Sequence, residues 1–183
     1  MNITRIFFSW FPFAVTVTFA AGLVYATVQQ NFRSSANDPQ IQVAEDLSAQ
    51  LAQGGNPQPL NFAPKIDMAK SLATYVIVFD DQSAPIAGTV TLNGKIPVPP
   101  KGVFDFARKN GEDRLTWQPQ PDVRNAIILR HFSGAASGFV LAGRSIREVE
   151  KREQWLSIMT LIAWIVMLLG TLVAVLMRKL MIQ

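Results

Sequence analysis

The sequence predicts an α+β fold, a five-stranded antiparallel sheet with helices on one face, flanked by two transmembrane helices. Three observations predict it. Residues 6–28 and 155–177 are apolar runs long enough to span the roughly 30 Å hydrocarbon core of a bilayer. Between them, five stretches rich in β-branched and aromatic residues are separated by Gly, Pro, Asn and Asp, and helical periodicity is confined to other stretches. Ser145-x-x-Glu148 reads as a capping box, and neither Gly nor Pro interrupts the chain after it until Gly170.

Taken in order, the first apolar run holds no ionisable side chain other than Tyr25. A cleaved signal peptide is its competing reading, with Arg5 as the charged start and Val24-Tyr25-Ala26 as the small-x-small site. Its length favours a retained helix, because an apolar run above about 18 residues exceeds the usual 7–15 of a signal peptide. Asp38 then reads as an N-cap with Pro39 at the first helical position, and Ile41, Ala44, Leu47 and Leu51 recur at helical spacing up to Gly54-Gly55. Residues 66–72 read as a short helix and residues 75–79 as a buried strand. The turn residues 80–85 fold residues 86–92 back as its partner, ending at Asn93-Gly94. Residues 102–109 form a helix closed by Asn110-Gly111, and strands follow at 113–118, 123–132 and 139–142. From the cap onward, Glu148 precedes Arg152 in the favourable i,i+4 order, and the exit helix is on the order of 50 Å long, more than the bilayer core needs.

All thirteen acidic residues and fourteen of the seventeen basic ones lie between Arg33 and Glu153, so the central region is nearly neutral. The basic balance comes from Arg5, Arg178 and Lys179, at the outer flanks of the two apolar runs. Short basic flanks stay in the cytoplasm, which places residues 1–5 and 178–183 inside and the domain of residues 29–154 outside. No basic tract points to nucleic acid. With no Cys and one His, disulfides and ordinary thiolate or multi-histidine metal sites are excluded, so the domain relies on its own core.

Asn37-Asp38-Pro39-Gln40-Ile41-Gln42 after the first span, Val76-Ile77-Val78-Phe79-Asp80 in the hairpin, and Gly138-Phe139-Val140-Leu141-Ala142-Gly143-Arg144-Ser145 before the second span carry a family likeness. Over about Asn37 to Arg152 the chain resembles the extracytoplasmic PAS-like sensor domains, also called Cache or PDC domains, of bacterial membrane histidine kinases. The resemblance implies a bacterial inner-membrane protein with a periplasmic domain, whose last strand hands over directly to a signalling helix capped by Ser145 and Glu148. It also implies small molecules, often carboxylates, held between sheet and helices. A kinase would continue into a phosphoacceptor helix and an ATP-binding domain, whereas this sequence ends six residues after Met177. The expectation is therefore a sensor-like protein lacking the kinase output domains.

The paired carboxylates Asp80-Asp81 and Glu112-Asp113 point to opposite faces if they lie on strands and form no catalytic dyad, and His131 has no nucleophile or acid near it in sequence. No catalytic residue, metal or cofactor is expected, and the protein is not expected to be an enzyme. For ligand binding the candidates are Tyr75, Arg114, Trp117 and Arg130, the arginines as bidentate carboxylate clamps. On the strand at 113–118, Arg114, Thr116 and Gln118 share one face and Leu115 and Trp117 the other. On the strand at 123–132, Arg124, Ala126, Ile128, Arg130 and Phe132 oppose Val123, Asn125, Ile127, Leu129 and His131. A solvated sheet face with an ordinary core tryptophan is the plainer reading of these residues. Ala14, Thr18 and Gly22, and Ala163, Gly170 and Ala174, are spaced as small-residue helix–helix contacts, while Trp10 and Trp155 suit the membrane interfaces.

These features lead to a two-pass membrane sensor whose partners are the lipid bilayer, an integral membrane protein that receives its signal, and a second copy in a homodimer. The alternative is an accessory or assembly subunit of a larger membrane complex, with no small-molecule ligand.

Overall fold

The structure, a computed structural model, describes residues 3–35 and 38–181, and the side chains of all of these except 33–35 and 38. The capping role expected of the Asp38 side chain lies outside the described residues. Two compact units are present: Met1–Arg33 with Val149–Gln183, and Ser34–Glu148.

The first unit is built from two long helices, α1 (Ile3–Ser35) and the greater part of α5 (Arg147–Met181). Each is long and apolar enough to cross a membrane. They run antiparallel, because Trp10 bonds at Thr171, Thr18 at Trp164 and Tyr25 at Ser157.

In the second unit, α2 (Asp38–Ala52) and α3 (Pro59–Phe62) precede β1 (Ile66–Asp67), β2 (Tyr75–Asp80), β3 (Pro85–Gly88) and β4 (Val90–Thr91). After α4 (Lys101–Asn110) come β5 (Glu112–Gln120), β6 (Val123–Phe132) and β7 (Gly138–Ser145). Five strands form one antiparallel sheet in the order β3-β2-β7-β6-β5. The last strand therefore lies in the middle, paired with β2 from Tyr75↔Gly143 to Asp80↔Gly138 and with β6 from Asn125↔Ser145 to Phe132↔Gly138.

Helices cover both faces of this sheet, where one covered face was expected. Tyr75, Ile77, Phe79, Ile127, Leu129, Phe139 and Leu141 pack with Phe104 and Ala107 of α4. The alternate residues Val76, Val78, Ile128, Val140 and Ala142 pack with Ala44 and Leu51 of α2. The reason is written in β2 and β7, which are apolar at consecutive positions and buried on both sides, as in sheets with two covering layers. Phe104 stands edge-on to Phe79 and Phe139, with ring centroids 5.0 and 5.2 Å apart, an arrangement worth about 0.5–1.5 kcal/mol per pair beyond burial.

Two local expectations are corrected. Residues 66–72 are not a helix: Ile66 N–H donates to Thr89 O and Met68 N–H to Thr91 O, both at 2.9 Å, making β1 a parallel partner of β4. The Asp67 carboxylate then accepts from Ala69 N–H, and Met68 is buried in the core on the α4 side. Residues 86–92 are not one strand either. Thr89 N–H donates to Val76 O at 2.9 Å, and its hydroxyl accepts from Val76 N–H at 3.1 Å. That splits the run into β3, which pairs with β2, and β4, which pairs with β1. The turns follow the sequence: Asn93 and Gly94 adopt φ of 53° and 78°, and Gly111 closes α4 at φ 90° with its N–H on Ala107 O.

Gly143 is a tight point of the sheet, under the Tyr75 ring. A Cβ there would stand 2.5 Å from the Tyr75 ring and 2.9 Å from Ile127. Gly143→Ala is therefore expected to lower the unfolding free energy by about 1–3 kcal/mol in urea titration of the full chain, as overpacked cores do. Shortening Tyr75 to Leu in the same chain should recover part of that loss, giving a non-additive double-mutant cycle.

Candidate functional site

On the α4 side of the sheet, two rows of side chains lie next to each other at the end from which α5 departs. Tyr75, Gly143 and Ile127 are aligned across β2, β7 and β6. Two residues along, Trp117, Asn125 and Ser145 are aligned across β5, β6 and β7. Diagonal neighbours at such spacing, about 7–8 Å, are within reach of aromatic side chains.

Asn125 is fully buried, and neither its amide oxygen nor its amide nitrogen has a hydrogen-bond partner among the described residues. The Tyr75 hydroxyl is likewise buried and without a partner there. Burial holds the Tyr75 phenol far above its ordinary pKa, so it stays protonated and keeps a donor. Each such orphan costs about 1–3 kcal/mol, so native proteins keep few of them. The surroundings are apolar, with Met68, Leu92 and Trp117 in the same buried cluster.

The site is tied to the start of α5. Ser145, opposite Asn125, accepts from Arg147 N–H at 3.4 Å, and Glu148 Oε1 lies 3.8 Å from Arg147 Nε. Arg144 Nε donates to Leu72 O at 3.0 Å and Arg147 Nη2 to Lys70 O at 3.3 Å. These two arginines clasp the segment that leads from β1 into Tyr75.

Of the four expected ligand residues, the structure brings Tyr75 and Trp117 to this face and puts Arg114 and Arg130 on the other. Arg114 is aligned with Ile128 and Arg130 with Glu112, in the alternate register. Both arginines are committed to carboxylates: Arg114 Nη2 lies 2.7 Å from Glu112, and Arg130 Nη1 lies 3.0 Å from Glu112 and 3.1 Å from Glu45 of α2. A carboxylate clamp shared by the four residues is not assembled. Asn125 was the residue missed; its signal was an amide inside an apolar strand, in register with Val123 and Ile127.

His131 meets Asp81 at 3.7 Å, but Asp81 Oδ1 also accepts from Ser137 Oγ at 3.3 Å, and Arg108 donates to Asp81 O. The serine bonds the carboxylate and not the imidazole, so the order of a nucleophile–base–acid triad is absent. No cluster of three or more His, Cys, Asp or Glu suited to a metal occurs among the described residues.

In the terminal helix pair, Trp10 Nε1 donates to Thr171 at 3.0 Å and Trp164 Nε1 to Thr18 at 2.9 Å. Ala14, Thr18 and Gly22 line an apolar groove beside Trp164 and Leu168. The other expected set does not meet α1: Ala163, Gly170 and Ala174 are exposed, with open space beside Gly170, and the half-buried stripe of α5 is Trp164, Leu168, Thr171 and Val175. A single residue's difference in position moves a side chain about 100° around a helix, and the indole bonds chose the neighbouring stripe.

No family model, no curated protein and no solved structure matches this chain.

Asn125→Leu keeps the side-chain shape while removing both orphan atoms and should raise the unfolding free energy by about 1 kcal/mol, with Tyr75→Phe neutral or slightly stabilising. By contrast, Arg130→Gln should cost less than about 1 kcal/mol, because its ion pairs are partly solvated. Chemical denaturation of the three variants checks both signs.

Proposed function

We propose that this chain is a two-pass membrane protein with an extracytoplasmic PAS-like sensor domain, which acts through α5 on a separate membrane partner. The observation that carries the reading is the connection at Ile146. β7, the central strand, becomes α5 after this one residue, and α5 continues for 35 residues through the apolar run. Any adjustment of the sheet reaches the helix without an intervening loop. The five-stranded antiparallel sheet and the direct strand-to-helix handover support the PAS-like resemblance.

Membrane anchoring is supported by exposure as well as by length. The apolar windows of α1 and α5 are 0% and 6% buried within the structure. Leaving such surface in water costs roughly 25 cal/mol per Å², whereas lipid accepts it. Arg5, Arg178 and Lys179 then put both ends in the cytoplasm, in keeping with the antiparallel helix pair.

The second reading, an accessory subunit of a membrane complex, is favoured by the exposed face of Ala163, Gly170 and Ala174. Small residues there permit close approach of a helix from another protein or from a second copy.

Because the chain has no Cys, single-cysteine variants report cleanly. In intact cells, Asp122→Cys should react with a membrane-impermeant maleimide and Lys179→Cys should not; the opposite pattern rejects the orientation. Purification of the full chain from its native membrane in mild detergent separates the two readings. Stoichiometric recovery of a large integral-membrane assembly selects the subunit, and recovery alone or with a signalling protein selects the sensor.

A further inference from the structure

We propose that the face around Tyr75 and Asn125 recognises a small uncharged ligand that carries a hydrogen-bond donor beside an acceptor, as a primary amide, a lactam or a nucleobase edge does. The inference rests on the sensor reading and names the ligand class at that site.

Three observations lead there. First, the Asn125 carboxamide is fully buried with both its donor and its acceptor unused among the described residues, and the Tyr75 hydroxyl, from the next row on the same face, is likewise unused. A carboxamide is self-complementary to an amide edge: its N–H donates to the ligand carbonyl while its C=O accepts from the ligand N–H. The Tyr75 hydroxyl supplies one further donor or acceptor. Second, the buried cluster that holds Tyr75 contains Met68, Leu92, Phe104, Trp117 and other uncharged residues. An ion brought there loses its hydration, and neither Arg114 nor Arg130 can pair with it, since both lie on the other face and are bonded to glutamates. The chemistry therefore selects against carboxylates. Third, Trp117 lies directly across from Asn125 and offers a flat apolar partner, which suits a planar ligand.

Both polar groups are closed over, so binding requires a covering segment to move outward. Residues 66–72 contribute Met68 to the same cluster, and their only strand is the two-residue β1. Lys70 O and Leu72 O in this segment are the acceptors of Arg147 and Arg144. A shift that admits the ligand therefore breaks the contacts that hold the β7–α5 junction, which couples occupancy to the exit helix.

The test uses the full chain in lipid nanodiscs with a nitroxide on Arg152→Cys, an exposed position on α5. The probes are benzamide, 2-pyrrolidone and uracil, with benzoate as the charged counterpart of benzamide. At saturation at least one neutral probe should raise the unfolding temperature by about 4 °C or more, and benzoate should not. Asn125→Leu and Tyr75→Phe should fold with unchanged or higher unfolding temperatures and lose that shift. The assignment is overturned if none of the three neutral probes shifts the native chain, if the shift survives in Asn125→Leu, or if benzoate matches benzamide. The nitroxide spectrum separates this from the sensor reading. An Asn125-dependent thermal shift with an unchanged spectrum supports the site and rejects coupling to α5. A spectral change driven by benzoate and retained in Asn125→Leu keeps the sensor and rejects the neutral ligand.

Discussion

β7 is hydrogen-bonded on both sides, buried on both faces through Gly143, and covalently continuous with α5 after one residue. That combination is the constraint on which the rest of the second unit depends. A strand buried twice needs two covering layers, so α2 and α4 are drawn to opposite faces. A strand in the middle must also accept every side chain that leans across it. Gly143 is the consequence, since only a residue without Cβ leaves the Tyr75 ring its place. Arg144, the last but one residue of this strand, and Arg147, the first of α5, are both bonded to the 70–72 segment.

Magnitudes separate what stabilises this unit from what does not. The ion pairs of Arg114, Arg130, Glu112 and Glu45 are partly exposed and contribute less than about 1 kcal/mol each, and of these the Arg130–Glu45 pair is the one that reaches α2. Burial of the two apolar clusters is the dominant favourable term. Against it stand the orphaned groups of Asn125 and Tyr75, at about 1–3 kcal/mol each. A fold that carries such a cost where its central strand meets its exit helix sets stability against something else, and ligand recognition is a use that the geometry suits.

Much of the fold was legible in the sequence. The two apolar helices, the strands expected at 75–79 and 123–132, the helix closed at Gly111 and the turn at Asn93-Gly94 follow from periodicity and turn chemistry. The parity of Arg114 and Trp117, and of Arg130 and Asn125, was also readable, since strand side chains alternate. What periodicity does not carry is which face of a sheet receives which layer. Arg114 and Arg130 were therefore grouped with Tyr75 and Trp117, although the sheet stands between them. Residues 66–72 and 86–92 were misread for a related reason: their form depends on hydrogen bonds from Ile66 and Met68 to Thr89 and Thr91, and from Thr89 to Val76, across long stretches of chain.

By itself, then, the sequence determined the elements governed by local physics: apolar length in α1 and α5, alternation in β5 and β6, glycine and asparagine at positive φ, and the absence of thiol chemistry. Tertiary structure alone decided the central position of β7, the two-sided cover of the sheet, the separation of Arg114 and Arg130 from the face of Tyr75 and Trp117, and the placing of Tyr75 and Asn125 in adjacent rows of one face. The physical reason is that these features arise from strand order and register, set by the simultaneous burial of residues from 44 to 142. No short window of the chain holds that information.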